Sequence, residues 1–409
     1  MSVCATRAAA LLAGLVAAGT ASAGGPLVLR TNGQAYVWST ASAIQYRTDE
    51  GPLSATVNEQ QARSRVQAMF AVWQNVPSAS IRYTRAGFIG NAPGFSGGDV
   101  NTVAEFNAVD GDCQNGNQSA IIYDATGAIF DAIIGDDSVI GFAGPCAVNS
   151  GQGTIVAGDA VMNGLYQDGQ TTPIKDLTVA EFDATFIHEF GHFSGLDHSQ
   201  INAVCAQGVC DPDRLAGLPT MFPFLASDEQ RTLSIDDIGW ISKLYPADGA
   251  SGFAATHGTI TGYVYFSDGE SQAQMVNVIA RRVDTGGNED LRFAASVVSG
   301  FRFRACRPNA ITNPPPEFCP PGGSDNPDEI GLYEIPVPPG TYTIEVEPIH
   351  GSFTGGSSVG PSDSPIPMPG QAPPPLGPLT ISAGQTSSGN DFVLVGTPPR
   401  FDQFEGPGP

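Results

Sequence analysis

The feature that most constrains this 409-residue chain is the stretch HEFGHFSGLDHS, which begins at His188. On a helix, His188 and His192 are one turn apart and project from the same face, so both ring nitrogens can reach one metal ion. Gly195 lets the backbone turn sharply without a Cβ clash, so that His198 can return as a third ligand. A catalytic zinc has three protein ligands and keeps its fourth position open for water. The spacing therefore predicts a catalytic zinc centre.

Glu189 stands next to the first predicted ligand but points about 100° round the helix. It is too far round to bind the ion easily and well placed to touch a metal-bound water, which makes it the candidate general base. The alternative is that the histidines are satisfied side chains on an ordinary helix. Only His257 and His350 lie outside the motif. Its five fixed positions would match by chance in roughly one chain of this length in 10⁵, which favours the metal site.

Taken together, these residues resemble the metzincin metallopeptidases, whose signature is this motif followed by a methionine turn. The stretch LPTMFP, from Leu218, matches the turn, and the resemblance implies that Met221 forms the apolar floor under the zinc. Ser199 after the third histidine and the Met221-x-Pro223 pattern are similar to the matrixin branch. The resemblance implies a zinc endopeptidase in which Pro223 and Phe224 lie beside an apolar pocket for the residue after the scissile bond.

Two further segments are similar to matrixin catalytic domains. AMFAVWQNV precedes a strand signal, as it does near the start of such domains, and LSIDDIGWISKLYP resembles their end. The resemblance therefore extends from about Tyr36 to Pro246. The histidine-based structural zinc site of many matrixins has no counterpart, because no histidine precedes His188.

Local patterns predict the helices of this first domain, residues 24–246. Apolar residues at helical spacing indicate a helix from Glu59 to Val76. Thr178 and Glu181 form a capping box, which marks the start of the histidine helix. Leu233 to Tyr245 reads as a closing helix with Ser234 as its N-cap and Asp237 completing a capping-box-like pair. Phenylalanines at helical spacing predict a buried stripe on the histidine helix: Phe182, Phe186, Phe190 and Phe193.

Strand signals predict a sheet beside these helices. They lie at residues 36–38, 44–47, 81–83, 120–123 and 154–162. By the matrixin resemblance, the last of them is the antiparallel edge strand along which an extended substrate lies. The fold class that follows is α+β, with a twisted mixed sheet and a long active-site helix, followed by an all-β sandwich.

Residues 1–23 have the pattern of a secretory signal peptide. Arg7 supplies the positive region, Ala8 to Ala18 the apolar region, and the sequence ASA that ends at Ala23 the cleavage site. The mature chain should begin near Gly24 and be secreted. The alternative, a membrane anchor, is disfavoured because the apolar run is too short to span a bilayer.

The cysteines agree with an extracellular location. Six of the seven remain after removal of the signal peptide, and an even number in an exported chain predicts three disulfides. A second metal site is the alternative for Cys205 and Cys210. Proximity in the sequence pairs Cys113 with Cys146, Cys205 with Cys210, and Cys306 with Cys319.

Charge restricts the partners of the chain. The net charge is −23 and there are two lysines, which argues against nucleic acid and anionic membranes and leaves a protein or peptide substrate. No other segment is long and apolar enough to cross a membrane. Asp131, Asp136 and Asp137 could bind calcium, but they do not form an EF-hand loop, and solvated turn carboxylates are the alternative.

The remainder of the chain predicts a second domain. Residues 247–256 form a small-residue linker, and residues 257–396 an all-β sandwich with a Pro/Gly-rich insert at 351–378; residues 397–409 form a disordered tail. The stretches GTITGYV, from Gly258, and PPGTY, from Pro338, resemble transthyretin-like, carboxypeptidase-regulatory-like modules. Strands are predicted at residues 258–266, 275–283, 291–303, 331–337, 340–347 and 390–395.

The expected function is that of a secreted zinc-dependent endopeptidase that uses Glu189 to activate water. One alternative is a binding or adhesion protein in which the sandwich engages a partner and the peptidase-like domain is inert. Another is a zinc hydrolase that acts on non-peptide amides. A general base has no role in holding zinc, so the presence of Glu189 favours the peptidase.

Overall fold

A computed structural model describes residues 24–135, 138–172, 174–201, 210–274, 276–303, 323–347 and 372–396. These residues divide into two compact units. The first comprises Tyr36–Gly195 and Ser227–Thr232, and the second comprises residues 24–35, Leu196–Ala226 and the chain from Leu233 onward. The domain boundary predicted at residue 246 therefore lies inside the second unit.

A mixed six-stranded sheet forms the centre of the first unit. The strands run in the order β1-β6-β4-β2-β3, all in parallel, and β5 pairs with β6 in antiparallel orientation. This confirms the α+β class and the mixed sheet. The strands are β1 Val37–Trp38, β2 Ile44–Thr48, β3 Tyr83–Phe88, β4 Ala120–Asp124, β5 Gly141–Asn149 and β6 Thr154–Asn163.

The antiparallel strand at the margin of this sheet is β5. The expectation that residues 154–162 would be that edge strand is wrong, because β6 pairs with β4 on one side and with β5 on the other. Strand propensity does not identify β5 in the sequence. Its residues, GFAGPCAVN, include glycines and a proline, which are depleted in strands. Prolines in sheets are confined to edges and bulges. Pro145 satisfies both conditions, because the register shifts between Pro145 and Ala147.

In the described part of this unit, four helices accompany the sheet. The first agrees with the predicted segment, and its N-cap Asn58 forms a capping box with Gln61. The sequence patterns do not predict the second and third helices. In the second, Asp and Gly interrupt the apolar pattern of VAEFNAVDGDCQ. The helices are α1 Glu59–Gln74, α2 Val103–Gln114, α3 Ala128–Ile133 and α4 Val179–Phe193.

The aromatic core of this unit fixes α4, which carries two of the three histidines. The predicted phenylalanine stripe is confirmed, since all four of its side chains are fully buried. Phe190 stacks on Phe70 of α1, with ring centroids 3.7 Å apart and planes 2° from parallel. The indole of Trp73 donates a hydrogen bond to the carbonyl of Ile187 at 2.8 Å. Burying each phenylalanine contributes about 1.5–3 kcal/mol, so α4 is a rigid base for its polar side chains.

One predicted disulfide is confirmed. Cys113 of α2 is bonded to Cys146 of β5, with Cα atoms 5.8 Å apart. Cys210 is also disulfide-bonded, but its predicted partner Cys205 lies outside the described residues. The predicted bond between Cys306 and Cys319 lies outside them as well.

The second unit contains two four-stranded sheets. One has the order β10-β7-β13 with β14 also paired to β7, and the other has the order β12-β11-β8-β9. The helices described before these strands are α5 Pro212–Ala216, α6 Ile235–Leu244 and α7 Phe253–Thr256. The strands are β7 Gly258–Tyr265, β8 Asn277–Val283, β9 Glu289–Val298, β10 Leu332–Val337, β11 Gly340–Glu347, β12 Leu376–Ile381, β13 Thr386–Ser387 and β14 Phe392–Val393.

The six strands predicted for this region are present, although their ends differ by a few residues. The prediction of a loop over 351–378 is wrong at its end, because β12 begins at Leu376. Gly377 and Pro378 obscure this strand in the sequence, and the edge position of β12 tolerates a proline. The predicted linker contains α7. The predicted signal peptide and the predicted tail lie outside the described residues.

The closing helix α6 packs against strands of the second unit. Trp240 donates a hydrogen bond from its indole to the carbonyl of Ser296 in β9 at 3.4 Å. The N–H of Ser296 donates to the carboxylate of Asp236 at 2.7 Å. Lys243 lies 3.2 Å from Glu334 of β10. This helix is therefore held by residues that follow it in the chain.

Candidate metal centre

Both ends of α4 are fixed by side chains. At its start, the backbone N–H of Glu181 donates to the hydroxyl of Thr178 at 3.2 Å, and the carboxylate of Glu181 accepts from the N–H of Thr178 at 2.8 Å. The predicted capping box is thereby confirmed. At its end, the indole of Trp38 donates to the carbonyl of Phe193 at 2.8 Å. This carbonyl has no partner within the helix, so the tryptophan satisfies it.

The chain leaves α4 by the sharp turn that the sequence predicts. The N–H of Ser194 bonds the carbonyl of Phe190, and the N–H of Gly195 bonds the carbonyl of His192 at 2.8 Å. Gly195 then adopts φ +85°, a left-handed conformation that residues with a Cβ rarely accept. This turn directs the following residues back toward the helix.

The turn brings the three predicted ligands together. Ring nitrogens of His188, His192 and His198 all lie within 4.8 Å of one another. The Nε2 atoms of His188 and His192 are 3.1 Å apart, and the two ring planes are nearly perpendicular, at 88°. Two nitrogens bound tetrahedrally to one zinc, each at 2.0–2.1 Å, are about 3.3 Å apart. Imidazole suits several transition metals, so the three residues fit a transition-metal ion of this size.

Glu189 is buried beside the first ligand. Its side chain is 4% exposed, and its Oε2 atom has no hydrogen-bond partner in the described part of the chain. Burial raises the pKa of this carboxyl to about 8, and a cation held by the histidines would favour the charged form. An unpartnered buried carboxyl oxygen is costly, and a bound cation with its water would relieve that cost.

Gly141, the first residue of β5, makes room for Glu189. A Cβ atom at position 141 would lie 2.8 Å from the Cγ and 2.9 Å from the Oε1 of Glu189. Real Cβ atoms do not approach other heavy atoms so closely, so any side chain here would displace the carboxyl group. The edge strand and the candidate base are therefore in direct contact, which no sequence motif indicated.

The predicted methionine turn is tied to the segment of the third ligand. Met221 is 2% exposed, and its carbonyl accepts a hydrogen bond at 2.7 Å from the N–H of Ser199. Ser199 directly follows His198. The position of the third histidine thus depends on the turn.

Asp237 organises this turn, and the sequence predicted only part of its role. Its carboxylate accepts three backbone hydrogen bonds, from Ser234 at 2.7 Å, Thr220 at 2.9 Å and Met221 at 3.1 Å. The first belongs to the capping box that the sequence predicts for α6. The other two join α6 to the turn. Burial raises the pKa of Asp237, and the three N–H donors oppose that shift.

Replacing Asp237 with asparagine should destabilise the protein markedly. The amide retains one acceptor oxygen and turns an NH₂ group toward backbone donors. Each buried donor left unsatisfied costs about 1–3 kcal/mol, so we expect a loss of about 2–5 kcal/mol and a Tm lower by roughly 5–15 °C. Thermal unfolding followed by circular dichroism measures this change. The exposed Asp228→Asn is the control, and equal Tm values for the two variants would refute the role of Asp237.

The other predicted site residues are placed as follows. Pro223 is half-buried, and Phe224 is 43% exposed with its ring 6.5 Å from that of Phe222. The apolar substrate pocket beside these two residues stays a prediction. Asp131 lies on α3, but its predicted calcium partners, Asp136 and Asp137, lie outside the described residues.

Comparison with known proteins adds no family to this description. No protein-family model matches the chain, and no curated protein matches it. In the described ranges, none of the helices combines the length and the apolar character that a membrane crossing requires.

Proposed function

We propose that this protein is a secreted, zinc-dependent endopeptidase of the matrixin type. The observation that carries the proposal is the convergence of His188, His192 and His198 beside the buried carboxyl group of Glu189, one oxygen of which has no hydrogen-bond partner among the described residues. Three histidines with an open fourth position are one of the ligand sets of catalytic zinc, and a nearby acid that is not a ligand can act as the general base.

The histidines would hold the ion, and Glu189 would move the proton. When bound, zinc lowers the pKa of water and polarises a carbonyl group. Glu189 takes a proton from the attacking water and delivers it to the nitrogen of the leaving amine. Gly141 leaves the space that the carboxyl group occupies, and helix α4 fixes the backbone of Glu189 relative to that of His188 and His192.

An extended peptide is the substrate that the surroundings favour. Among the described strands, β5 pairs with β6 alone, so its other edge offers backbone groups to a peptide strand. This edge strand starts at Gly141, which contacts Glu189. A peptide paired along β5 would therefore pass close to the general base. Pro223 and the exposed ring of Phe224 would accept an apolar side chain after the scissile bond.

Secretion is part of the proposal. The signal-peptide pattern at residues 1–23 predicts export, and the bond between Cys113 and Cys146 is compatible with an oxidising compartment.

Digestion of casein by the purified protein tests the proposal. We expect cleavage that stops with 1,10-phenanthroline and returns when zinc is added in excess, because the chelator removes the ion from the histidines. A protein that binds zinc but cleaves neither casein nor a peptide library would be the inert, adhesive alternative. Hydrolysis of small non-peptide amides without cleavage of peptides would identify the other hydrolase class.

A further inference from the structure

The first described residues lie along the segment that carries the third histidine. The N–H of Gly24 donates to the carbonyl of His198, and the N–H of Asp197 donates to the carbonyl of Gly25 at 2.9 Å. Pro26 forms an antiparallel bridge with Leu196. Three consecutive residues at one end of the described chain thus pair with Leu196, Asp197 and His198, the last of which is the third predicted ligand.

This segment is firmly seated. Residues 24–27 are all buried, and Leu29 is fully buried. Gly24 has φ +57°, and a Cβ atom at this position would overlap the carbonyl oxygen of Ser296. A side chain at position 24 is therefore excluded by its clash with Ser296, and also by conformation wherever another residue precedes Gly24.

His198 needs such support more than the other two ligands. His188 and His192 belong to α4, whose backbone hydrogen bonds fix their spacing. His198 follows the glycine turn and lies outside any helix or strand. Its N–H donates to the side chain of Asp197 at 2.7 Å, and its carbonyl accepts from Gly24.

We propose that residues 24–26 form a strap that positions His198 for the metal ion. The proposal rests on the metal centre of the proposed function and adds a positioning role for the N-terminal segment. Partners of a ligand that do not touch the metal typically change metal affinity by about 10–100-fold when they are lost. We expect the strap to have an effect of this size.

The predicted signal-peptide cleavage site lies directly before the strap. Cleavage after Ala23 would leave Gly24 as the first residue and keep all three strap residues. Removal of three more residues by an aminopeptidase would delete the whole strap. N-terminal trimming is therefore expected to weaken metal binding without touching a ligand.

Substitution of Gly24 tests the strap against a matched control. Gly24→Ala introduces the clash with Ser296 and, in a chain where another residue precedes position 24, the left-handed strain as well. Gly249→Ala introduces only the strain, because Gly249 has φ +63° and a Cβ there would meet no atom within 4 Å. A chain that begins at Leu27 removes the strap with no new clash and serves if Gly24→Ala does not fold.

Two measurements report the outcome. Competition with a chromogenic chelator gives the zinc dissociation constant, and the visible absorption of the cobalt-substituted protein reports the ligand geometry. We expect zinc binding about 10–100-fold weaker in Gly24→Ala and in the chain from Leu27 than in Gly249→Ala, with an altered cobalt spectrum. Equal zinc affinities and equal cobalt spectra in all three proteins would refute the positioning role of residues 24–26.

This result is independent of peptidase activity. If the unaltered protein binds zinc but cleaves no peptide, the proposed function fails while the affinity comparison can still be made. If the unaltered protein cleaves peptides and the variants bind zinc normally, the strap fails while the proposed function stands.

Discussion

Glu189→Gln is expected to keep zinc and to lower kcat/KM on peptides by a factor of about 10² or more. Glutamine has the same shape as glutamate, so it fits the space that Gly141 leaves open. It cannot accept the proton of the attacking water. The three histidines are unchanged, and metal binding should therefore be retained.

Zinc content by atomic absorption and peptide cleavage must be measured on the same preparation. Glu181→Gln is the matched control, because it makes the same chemical change on the same helix. A capping box accepts glutamine in this position, so the control should keep full activity. If the metal-loaded Glu189→Gln protein cleaves peptides at the rate of the control, Glu189 is not the base.

The parts of the site that the sequence predicted correctly are local. Four-residue spacing on a helix brings His188 and His192 together, and a glycine that adopts φ +85° returns the chain to His198. The capping boxes of α4 and α6 lie within four residues of sequence. In each case the physical cause and its effect are close together in the chain, so the residue pattern is sufficient.

The parts that the sequence missed depend on residues that are distant in the chain. Asp237 was identified as a helix cap, but its bonds to Thr220 and Met221 require the fold. Neither residues 24–26 nor residues 196–198 contain a sequence pattern that predicts the contacts between them. The contact between Gly141 and Glu189 could not be predicted from the sequence. A glycine in a Gly-rich region can be present for many structural reasons.

The strands and the helix that the sequence patterns did not predict have a related explanation. The edge strands β5 and β12 contain Gly and Pro, which a sheet tolerates at its margin and which obscure a strand in the sequence. Helix α2 begins with a capping box between Thr102 and Glu105, but Asp and Gly weaken its apolar pattern. For all three segments, tertiary position outweighs local propensity.

His192→Ala should abolish stoichiometric zinc binding. The side chain is one of the two helix histidines whose Nε2 atoms lie 3.1 Å apart, and its loss leaves two histidines in the triad. Zinc sites with four ligands bind with about 10–16 kcal/mol, which is roughly 2.5–4 kcal/mol for each ligand. Loss of one ligand therefore weakens binding by about 10²–10³-fold, and the purified variant should contain well under one equivalent of zinc.

His257→Ala separates this effect from the general cost of removing a buried imidazole. His257 is 4% exposed, lies 2.8 Å from the hydroxyl of Thr256 and stacks on Phe253. Its loss should lower the Tm but leave one equivalent of zinc, because it lies outside the triad. If His192→Ala retains one equivalent with unchanged affinity, the ion is not held by the triad. If both variants lose zinc equally, the loss reflects unfolding, and circular dichroism of each variant then identifies that cause.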